Sequence, residues 1–458
     1  MRKGTMELLN RYLRKRVAKI IYCLYGVDIF QWYDWLMKTM LWTPEERYRW
    51  RLRKLCEILE FAWDHVPFYR EYWGDHGISF FKPRRLEELE RYPILTKDVF
   101  RANAKKIQAD NLNSIRHREW HTGGTTGEPV HYLRDLEQWS LCEAFHLWGW
   151  NQLGYRFGDP VGVIAGGSLL PERRSLEAKL RSWLHGRIFL FGVSMDKLKS
   201  HHYYNIFRER KVKFIYGYPS IIYLFSKHLC EEGLSLPELK AVVTTAEMLL
   251  PHYRQGIEKN LNCEVYDNLG SNDGGYEAYE CKFHQGLHYN DLQSILEVDV
   301  QENNGSGRLL ITNLWNKSTP FIRYENGDIV SFINEPCQCG VPFPRIRAIL
   351  GRTADILTFN NGISLSGPAI TLIFAKMKID GWQVVQTGPR ELEVRLLGGE
   401  NIFASYEAQI KKVLTHYLGS EIKINVKQVD NLKKTTGGKW KPIWCEFNPP
   451  DNNVIHVY

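Results

Sequence analysis

Four short apolar runs separated by helical stretches constrain the fold of this chain more than any other feature. They are Val161-Gly162-Val163-Ile164-Ala165, Ile188-Phe189-Leu190-Phe191-Gly192, Phe214-Ile215-Tyr216-Gly217 and Ala241-Val242-Val243-Thr244-Thr245. Apolar runs of this length spaced by helices read as strands of a buried sheet, and they predict an α/β arrangement. Helices are expected around 135–152 and 171–184. Another is expected from Thr43-Pro44-Glu45-Glu46, which joins an N-cap, a first-turn proline and a capping-box glutamate, to about Trp63. From Glu297 to Phe332 short strands dominate and helical patterning fades. Near the C-terminus, Val384 to Leu397 and Ile422 to Val429 read as strands around an amphipathic helix at Tyr406 to Leu414, the makings of a small α+β unit. A chain of 458 residues exceeds what one hydrophobic core normally serves, so two domains are expected.

The segment His121-Thr122-Gly123-Gly124-Thr125-Thr126-Gly127-Glu128-Pro129 packs hydroxyls between glycines. Glycines let the backbone approach an anion closely and take positive φ, so successive N–H groups converge while Thr122, Thr125 and Thr126 add hydroxyl donors. A polyphosphate is the ligand such a loop suits. The G-x-x-x-x-G-K-[ST] pattern is absent, which disfavours a P-loop NTPase. Taken alone, the segment also reads as a Gly/Thr-rich surface turn.

Three cysteines form a pattern. Cys281-Lys282-Phe283-His284-Gln285-Gly286-Leu287-His288 sets a thiol near two imidazoles, and Cys337-Gln338-Cys339-Gly340 supplies two more thiols. Three thiolates and one imidazole complete a tetrahedral zinc site with no position left for water, which is structural zinc rather than catalytic. His284 and His288 both remain open as the fourth ligand. The other cysteines, Cys23, Cys56, Cys142, Cys230, Cys263 and Cys445, are scattered, and nine is an odd number for a disulfide framework.

A net charge of +8 suits anionic nucleotides, nucleic acid or a membrane surface without selecting among them. No nucleic-acid reader motif accompanies it, so nucleic acid is not an expected partner. No run of eighteen apolar residues occurs and the start lacks a signal-peptide h-region, so a cytoplasmic location is expected. Between residues 8 and 42, Arg11, Arg14, Lys15, Arg16 and Lys19 interleave with Leu8, Leu9, Leu13, Val17, Ile20 and Ile21, followed by Phe30, Trp32, Trp35 and Trp42. This reads first as a helix packing on its own domain. Peripheral contact with an anionic inner membrane surface is the second reading.

Further motifs follow the Gly/Thr segment in a fixed order: Tyr266-Asp267-Asn268-Leu269-Gly270-Ser271-Asn272-Asp273, Arg323-Tyr324-Glu325-Asn326-Gly327-Asp328-Ile329, Gly351-Arg352-Thr353-Ala354-Asp355-Ile356-Leu357, and Lys433-Lys434-Thr435-Thr436-Gly437-Gly438-Lys439-Trp440-Lys441. The set resembles the adenylate-forming superfamily. Cys56 to Arg70, Tyr92-Pro93-Ile94-Leu95-Thr96-Lys97 and Gly217-Tyr218-Pro219-Ser220 look like its phenylacetate-CoA ligase and CapK-like capsule-biosynthesis branch, so the likeness runs almost end to end.

The resemblance implies a large AMP-binding domain over 1–354, with a small β subdomain and with 1–42 as a basic aromatic extension. A C-terminal α+β lid over 355–458 would follow, with its hinge at Asp355. It implies an ATP- and Mg²⁺-dependent, AMP-forming ligase that activates a carboxylic acid and passes the acyl group to CoA, an amine or a hydroxyl, with surface-polysaccharide biosynthesis as one context. Lys439 would be the catalytic cation carried by the lid. Asp328 would accept hydrogen bonds from ribose, and Arg352 would lie near ribose and the α-phosphate. Thr122, Gly123, Gly124, Thr125, Thr126 and Gly127 would hold phosphates, while Glu247, Asp267, Asn268 and Ser271 complete the nucleotide site. His288 is the fourth zinc ligand by this likeness. Phe145, Trp148 and Tyr216 are candidate walls for an aromatic or apolar acid, with core packing as the alternative for some of them.

Three positions depart from the family pattern. Asp273 stands where a metal-assisting glutamate is expected, Leu269 where an aromatic would face adenine, and Glu128 where a basic residue is common. They motivate a second expectation, a nucleotide-binding scaffold that kept the fold and lost turnover. The presence of Asp328, Arg352 and Lys439 counts against it.

Overall fold

The computed structural model describes residues 2–121, 130–166, 169, 176–192, 195–271, 273–299, 305–347, 351–352, 357–360, 364–365, 370, 373–374, 377, 379, 381–398, 400–435 and 439–447. A nine-stranded mixed sheet organises the larger part of the chain. Its parallel half runs, in spatial order, Arg187–Phe191, Val161–Ala165, Phe214–Gly217, Ala241–Thr244 and Glu264–Ser271. The four apolar runs are therefore neighbours in one sheet. The three inner ones are buried along their whole length, whereas Arg187–Phe191 forms the edge and is half-buried.

Parallel strands need crossovers, and the helices Leu176–His185, Lys197–Glu209, Pro219–Glu231 and Pro251–Leu261 supply them. Pro219 and Pro251 each open their helix where a missing N–H costs nothing. A Cβ at Gly217 would lie 1.9 Å from the Ile164 carbonyl oxygen, so only glycine lets this strand end tightly against its neighbour. The helix expected at 171–184 is Leu176–His185. Its expected first turn lies outside the described residues. The helix Leu136–Gln152 agrees closely with expectation.

Beyond Ser271 the sheet continues antiparallel through Tyr276–Glu280, Leu287–Tyr289, Arg345–Ile346 and Phe332–Ile333. Packed near it is a four-stranded antiparallel sheet of Ser294–Asp299, Gly307–Asn313, Tyr324–Val330 and Gly351–Arg352. Leu296, Leu309, Ile311 and Val330 bury themselves against Tyr276, Ala278 and Leu287. This is the region where short strands were expected.

Past residue 380 a separate four-stranded sheet forms, ordered Lys423–Val429, Glu391–Leu397, Gly381–Gly388 and Ile443–Cys445. The helix Glu400–Leu418 makes the crossover to Lys423–Val429, turning Ile410, Leu414 and Leu418 inward. Trp382 anchors this unit, stacked on Phe374 at 4.3 Å and edge-on to Trp440 at 5.5 Å. The expected hinge, Asp355, lies outside the described residues.

At the N-terminus, helices Arg2–Leu24 and Ile29–Thr39 pack through Ala18, Tyr22, Ile29 and Phe30 onto Leu136, Trp139, Ala144 and Leu184. Self-packing is thus real for one face. Trp32, Trp35 and Trp42 gather with Trp50 and Trp315 in an indole cluster. The helix Pro44–His65 carries the complete capping box, with Thr43 N–H donating to Glu46 at 2.7 Å and Glu46 N–H donating to the Thr43 hydroxyl. Among the described residues, no helix is long and apolar enough to cross a membrane.

Candidate functional site

In an open parallel sheet the carboxyl ends of the strands all point one way, and loops leaving them form a common edge. Here Phe214–Gly217, Ala241–Thr244 and Glu264–Ser271 deliver Ser220, Glu247 and Asn268 to that edge. The turn after Thr244 is strained: Ala246 sits at φ +67, a left-handed conformation that costs a non-glycine residue on the order of 1 kcal/mol. Its effect is to aim Glu247 back at Ser220, whose hydroxyl donates to the carboxylate at 2.7 Å and whose N–H donates at 3.3 Å. Burial pushes the Glu247 carboxyl above its ordinary range against these donors.

Next along the edge, the Thr244 hydroxyl donates to Asp267 at 2.8 Å and the Tyr216 hydroxyl to Asn268 at 3.3 Å. Asn268 spends its own amide on the Ala278 carbonyl, so its orientation is fixed. Burial, and after it the neighbouring Glu280 carboxylate, push Asp267 up to about 7. Glu280 is itself gripped by both Arg254 nitrogen–oxygen contacts, at 2.8 and 3.0 Å, and accepts the Asp267 N–H at 2.9 Å.

Across the sheet reversal lies a second group of acids. Ser271 donates to Asp273 Oδ1 at 3.0 Å, while Lys97 Nζ and the Tyr324 hydroxyl donate to Oδ2 at 2.9 and 3.0 Å. Burial alone would raise Asp273, but Lys97 and the hydrogen bonds from Lys97, Tyr324 and Ser271 outweigh it and hold the carboxyl below its ordinary value. Asp328 is buried on the strand Tyr324–Val330. Asn326 clamps it, donating to its carboxylate at 2.7 Å and accepting its N–H at 3.0 Å. The same Asn326 amide reaches the Ser271 hydroxyl at 3.5 Å, joining the two aspartates through one short chain of contacts. Arg352 is the register partner of Asp328 on the adjacent strand.

The expected lysine is carried to this edge from the C-terminal unit. Lys439 is half-buried, with its N–H donating to the Thr435 hydroxyl at 3.1 Å and its carbonyl accepting the Thr435 N–H at 2.9 Å. Its neighbour Trp440 pairs with Lys434 in an antiparallel bridge and donates its backbone N–H to Glu247 at 2.5 Å. The Trp440 indole lies 6.3 Å from Tyr253, and its Nε1 donates to the Trp382 carbonyl at 3.2 Å. A half-buried carboxylate of the large unit therefore holds the segment that bears Lys439.

Thr122, Gly123, Gly124, Thr125, Thr126, Gly127 and Glu128 lie outside the described residues. So does Asn272. The strands His117–His121 and His131–Asp135 flank the Gly/Thr segment and pair antiparallel up to His121 and His131. Phe145 and Trp148 are fully buried and stacked at 5.0 Å, both edge-on to Phe343. They fill the core, the alternative given above. Tyr216 stands at the edge beside Asn268. Two cavities of about 220 and 270 Å³ lie elsewhere, beneath the N-terminal helix, around Tyr22, Trp139 and Arg181.

Cys281, His288, Cys337 and Cys339 bring their ligating atoms within 4.8 Å of one another. The Cys281 and Cys337 sulfurs are 3.6 Å apart, and Cys339 Sγ lies 3.3 Å from His288 Nε2. Zinc–sulfur bonds of about 2.3 Å at a tetrahedral angle separate two sulfurs by roughly 3.8 Å, so the set fits zinc. His288 Nδ1 donates to the Phe343 carbonyl at 2.9 Å, which turns Nε2 toward the thiols. His284 instead contacts Glu280 and Arg254, each at 3.2 Å, and is no part of the group.

Sequence reasoning missed Lys97, Ser220, Tyr324 and Asn326 as members of this edge. The signal for Lys97 was present in Tyr92-Pro93-Ile94-Leu95-Thr96-Lys97, a segment set aside as a likeness without a role.

Comparison with known proteins places this fold. No family model matches the chain. Protein CapK of Staphylococcus aureus is 24% identical over 394 residues, spanning 84% of this chain and 86% of its own. The phenylacetate-coenzyme A ligase of Thermus thermophilus is 23% identical over 442 residues, spanning 85% of this chain and 94% of that protein. Among solved structures, 2-hydroxyisobutyryl-CoA ligase in the postadenylation state, in complex with R3-HIB-AMP, aligns with a TM-score of 0.67 and 22% identity over 87% of this chain and 89% of that one. The chain has the fold of that ligase. Its resemblance to the phenylacetate-CoA ligase and CapK branch extends over most of its length, and its architecture is that of the adenylate-forming ligases.

Proposed function

We propose that this protein is an AMP-forming ligase that activates a carboxylic acid with ATP and transfers the acyl group to CoA. The observation that carries the reading is the contact between Trp440 N–H and Glu247, which fixes the Lys439 segment over the strand ends. In the first step a carboxylate oxygen attacks the α-phosphorus; the new P–O bond forms as the bond to pyrophosphate breaks. Lys439 neutralises the negative charge gathering between acid and phosphate, a preorganised cation in a site that Trp440 helps to close. Asp328, held rigid by Asn326, accepts the ribose hydroxyls. Asp267 and Asn268 shape the base side of the site, and Arg352 adds a cation near ribose.

The Gly/Thr segment, which in sequence joins the strands His117–His121 and His131–Asp135, would supply the donors for the terminal phosphates. Mg²⁺ suits the hard oxygens of Asp273 together with phosphate oxygens, and when bound it offsets charge on the leaving pyrophosphate. In the second step a thiol sulfur attacks the adenylate carbonyl, AMP leaves, and the thiol proton passes to solvent. Release of Lys439 at Asp355, between a large domain over 1–354 and a lid over 355–458, would open the site for CoA. Cys281, His288, Cys337 and Cys339 would hold a structural zinc that cross-links the strands of the sheet reversal. The likeness to CapK supports surface-polysaccharide biosynthesis as a context, with a glycan amine or hydroxyl as a further acceptor.

Contact with an anionic membrane would be made by the exposed face of Arg2–Leu24, where Leu13, Ile20 and Leu24 line up at helical spacing with Arg16 the nearest cation. Cosedimentation with phosphatidylglycerol vesicles, lost on Ile20→Glu, is the outcome that reading requires.

A second reading, the nucleotide-binding scaffold, draws on Asp273, whose carboxylate already holds a lysine. ATP–pyrophosphate exchange across aryl, fatty, hydroxy and amino acids separates the two. Exchange dependent on one acid class, and lost in Asp328→Ala, supports the ligase; silence across the panel with ATP still bound supports the scaffold.

A further inference from the structure

The contact between Lys97 and Asp273 joins residues far apart in the chain and is built rather than incidental. Leu95 N–H donates to the Arg323 carbonyl, and Glu325 N–H donates to the Leu95 carbonyl, each at 3.0 Å. Leu95 thereby forms a parallel bridge with Tyr324, stitching the approach to Lys97 onto the strand that carries Asp328. Arg323 reinforces the seam by donating to the carbonyls of Glu90 and Tyr92, at 2.7 and 2.5 Å. Thr96 then caps the helix Lys97–Asn103 by accepting the Val99 N–H, so Lys97 occupies its first turn with the side chain aimed at Asp273.

The two partners are not equally free. Asp273 is fixed from both sides, by Ser271 on Oδ1 and by Tyr324 on Oδ2, and its side chain is 10% exposed; the Lys97 side chain is 28% exposed and rides on a flexible four-carbon stem. A buried carboxylate stripped of its cation is costly, so something positive must occupy this oxygen at every stage.

We propose that Lys97 is a placeholder cation for the nucleotide site. It holds Asp273 Oδ2 while the site is empty, gives that oxygen up to the divalent cation that arrives with a polyphosphate, and moves its ammonium to a phosphate oxygen. The ligand follows from the adenylating reading, on which the proposal rests. One consequence separates this role from plain structure. A divalent cation alone must expel Lys97 with no anion to receive it, so metal binds weakly without nucleotide; a polyphosphate alone already finds a lysine. Metal and Lys97 compete for one oxygen until phosphate is present, and then they cooperate.

The test titrates the full chain with Mn²⁺ alone and, separately, with ATP in the presence of EDTA. Lys97→Met should bind Mn²⁺ alone about tenfold more tightly than the native protein and metal-free ATP about tenfold more weakly, the low end of couplings between ligands that share a site. Lys97→Arg should behave as the native protein, and Lys97→Met/Asp273→Asn should lose the gain in Mn²⁺ affinity. Unchanged Mn²⁺ binding in a Lys97→Met protein that melts cooperatively overturns the proposal. Lys97→Gln carries the same comparison if the methionine variant does not fold. Loss of acid-dependent exchange in the native protein would remove the ligase reading while leaving the Mn²⁺ comparison readable; intact exchange with unchanged Mn²⁺ affinity removes only the role of Lys97.

Discussion

Two buried polar clusters flank the same sheet reversal, and their chemistry differs in kind. At Cys281, His288, Cys337 and Cys339 the donors are soft, face one another within 4.8 Å and are fixed by a hydrogen bond from His288 to Phe343. At Asp273 and Asp328 the donors are hard oxygens, each steadied by neutral side chains, and Asp273 is paired with the long-stemmed cation Lys97 as well. The first arrangement saturates itself once a metal is in place. The second keeps exchangeable partners. A saturated cluster fixes the backbone, whereas one whose cation can be traded can bind, release and bind again.

Breaking the saturated cluster should have the largest effect. Cys337→Ala or removal of zinc with a chelator is expected to lower the melting temperature by ten degrees or more, because structural zinc contributes its binding energy to folding. Equal melting with and without chelator would separate the cluster from zinc. A smaller effect belongs to Asp267, pushed up to about 7 by burial and then by Glu280. The folded chain holds this proton more tightly than the unfolded chain, so the stability it contributes is full below the ordinary carboxylate range. That contribution is lost as pH rises from about 4 to about 7. Asp267→Asn should flatten this part of a denaturant-midpoint profile against pH; an unchanged slope would assign it to other groups. The smallest change is expected at His284, whose contacts with Glu280 and Arg254 are partly exposed. His284→Ala should cost well under about 1 kcal/mol and leave zinc content intact, in contrast to His288→Ala. Zinc loss in His284→Ala would reverse that contrast.

The two clusters also differ in how far the sequence revealed them. Cys337 and Cys339 are separated by one residue, and Cys281 and His288 lie across one turn, so each half of the donor set is legible in local spacing although 56 positions separate Cys281 from Cys337. The meeting of the two halves and the choice between the two histidines needed coordinates, which set His288 Nε2 against Cys339 Sγ and His284 against Glu280. The buried strands were equally legible, because three inner strands have no polar face to disguise them. The pairing of Lys97 with Asp273 was not, for it spans 176 positions and depends on a backbone bridge at Leu95 that no periodicity encodes. Phe145 and Trp148 show the opposite limit. Aromatic rings at helical spacing suit a pocket wall and a core alike, and packing against Phe343 decided for the core.

The central claim is that the exchangeable cluster becomes an adenylating site when Trp440 and Glu247 hold the Lys439 segment against it. The most direct measurement is ATP–pyrophosphate exchange by the native protein and Lys439→Ala at a saturating concentration of the same acid, with ATP affinity measured in parallel. Loss of a preorganised charge contact of this kind is expected to slow exchange by about a hundredfold or more while ATP affinity changes by no more than about twofold. Exchange that survives in Lys439→Ala, or that falls only as far as ATP binding falls, would contradict the account.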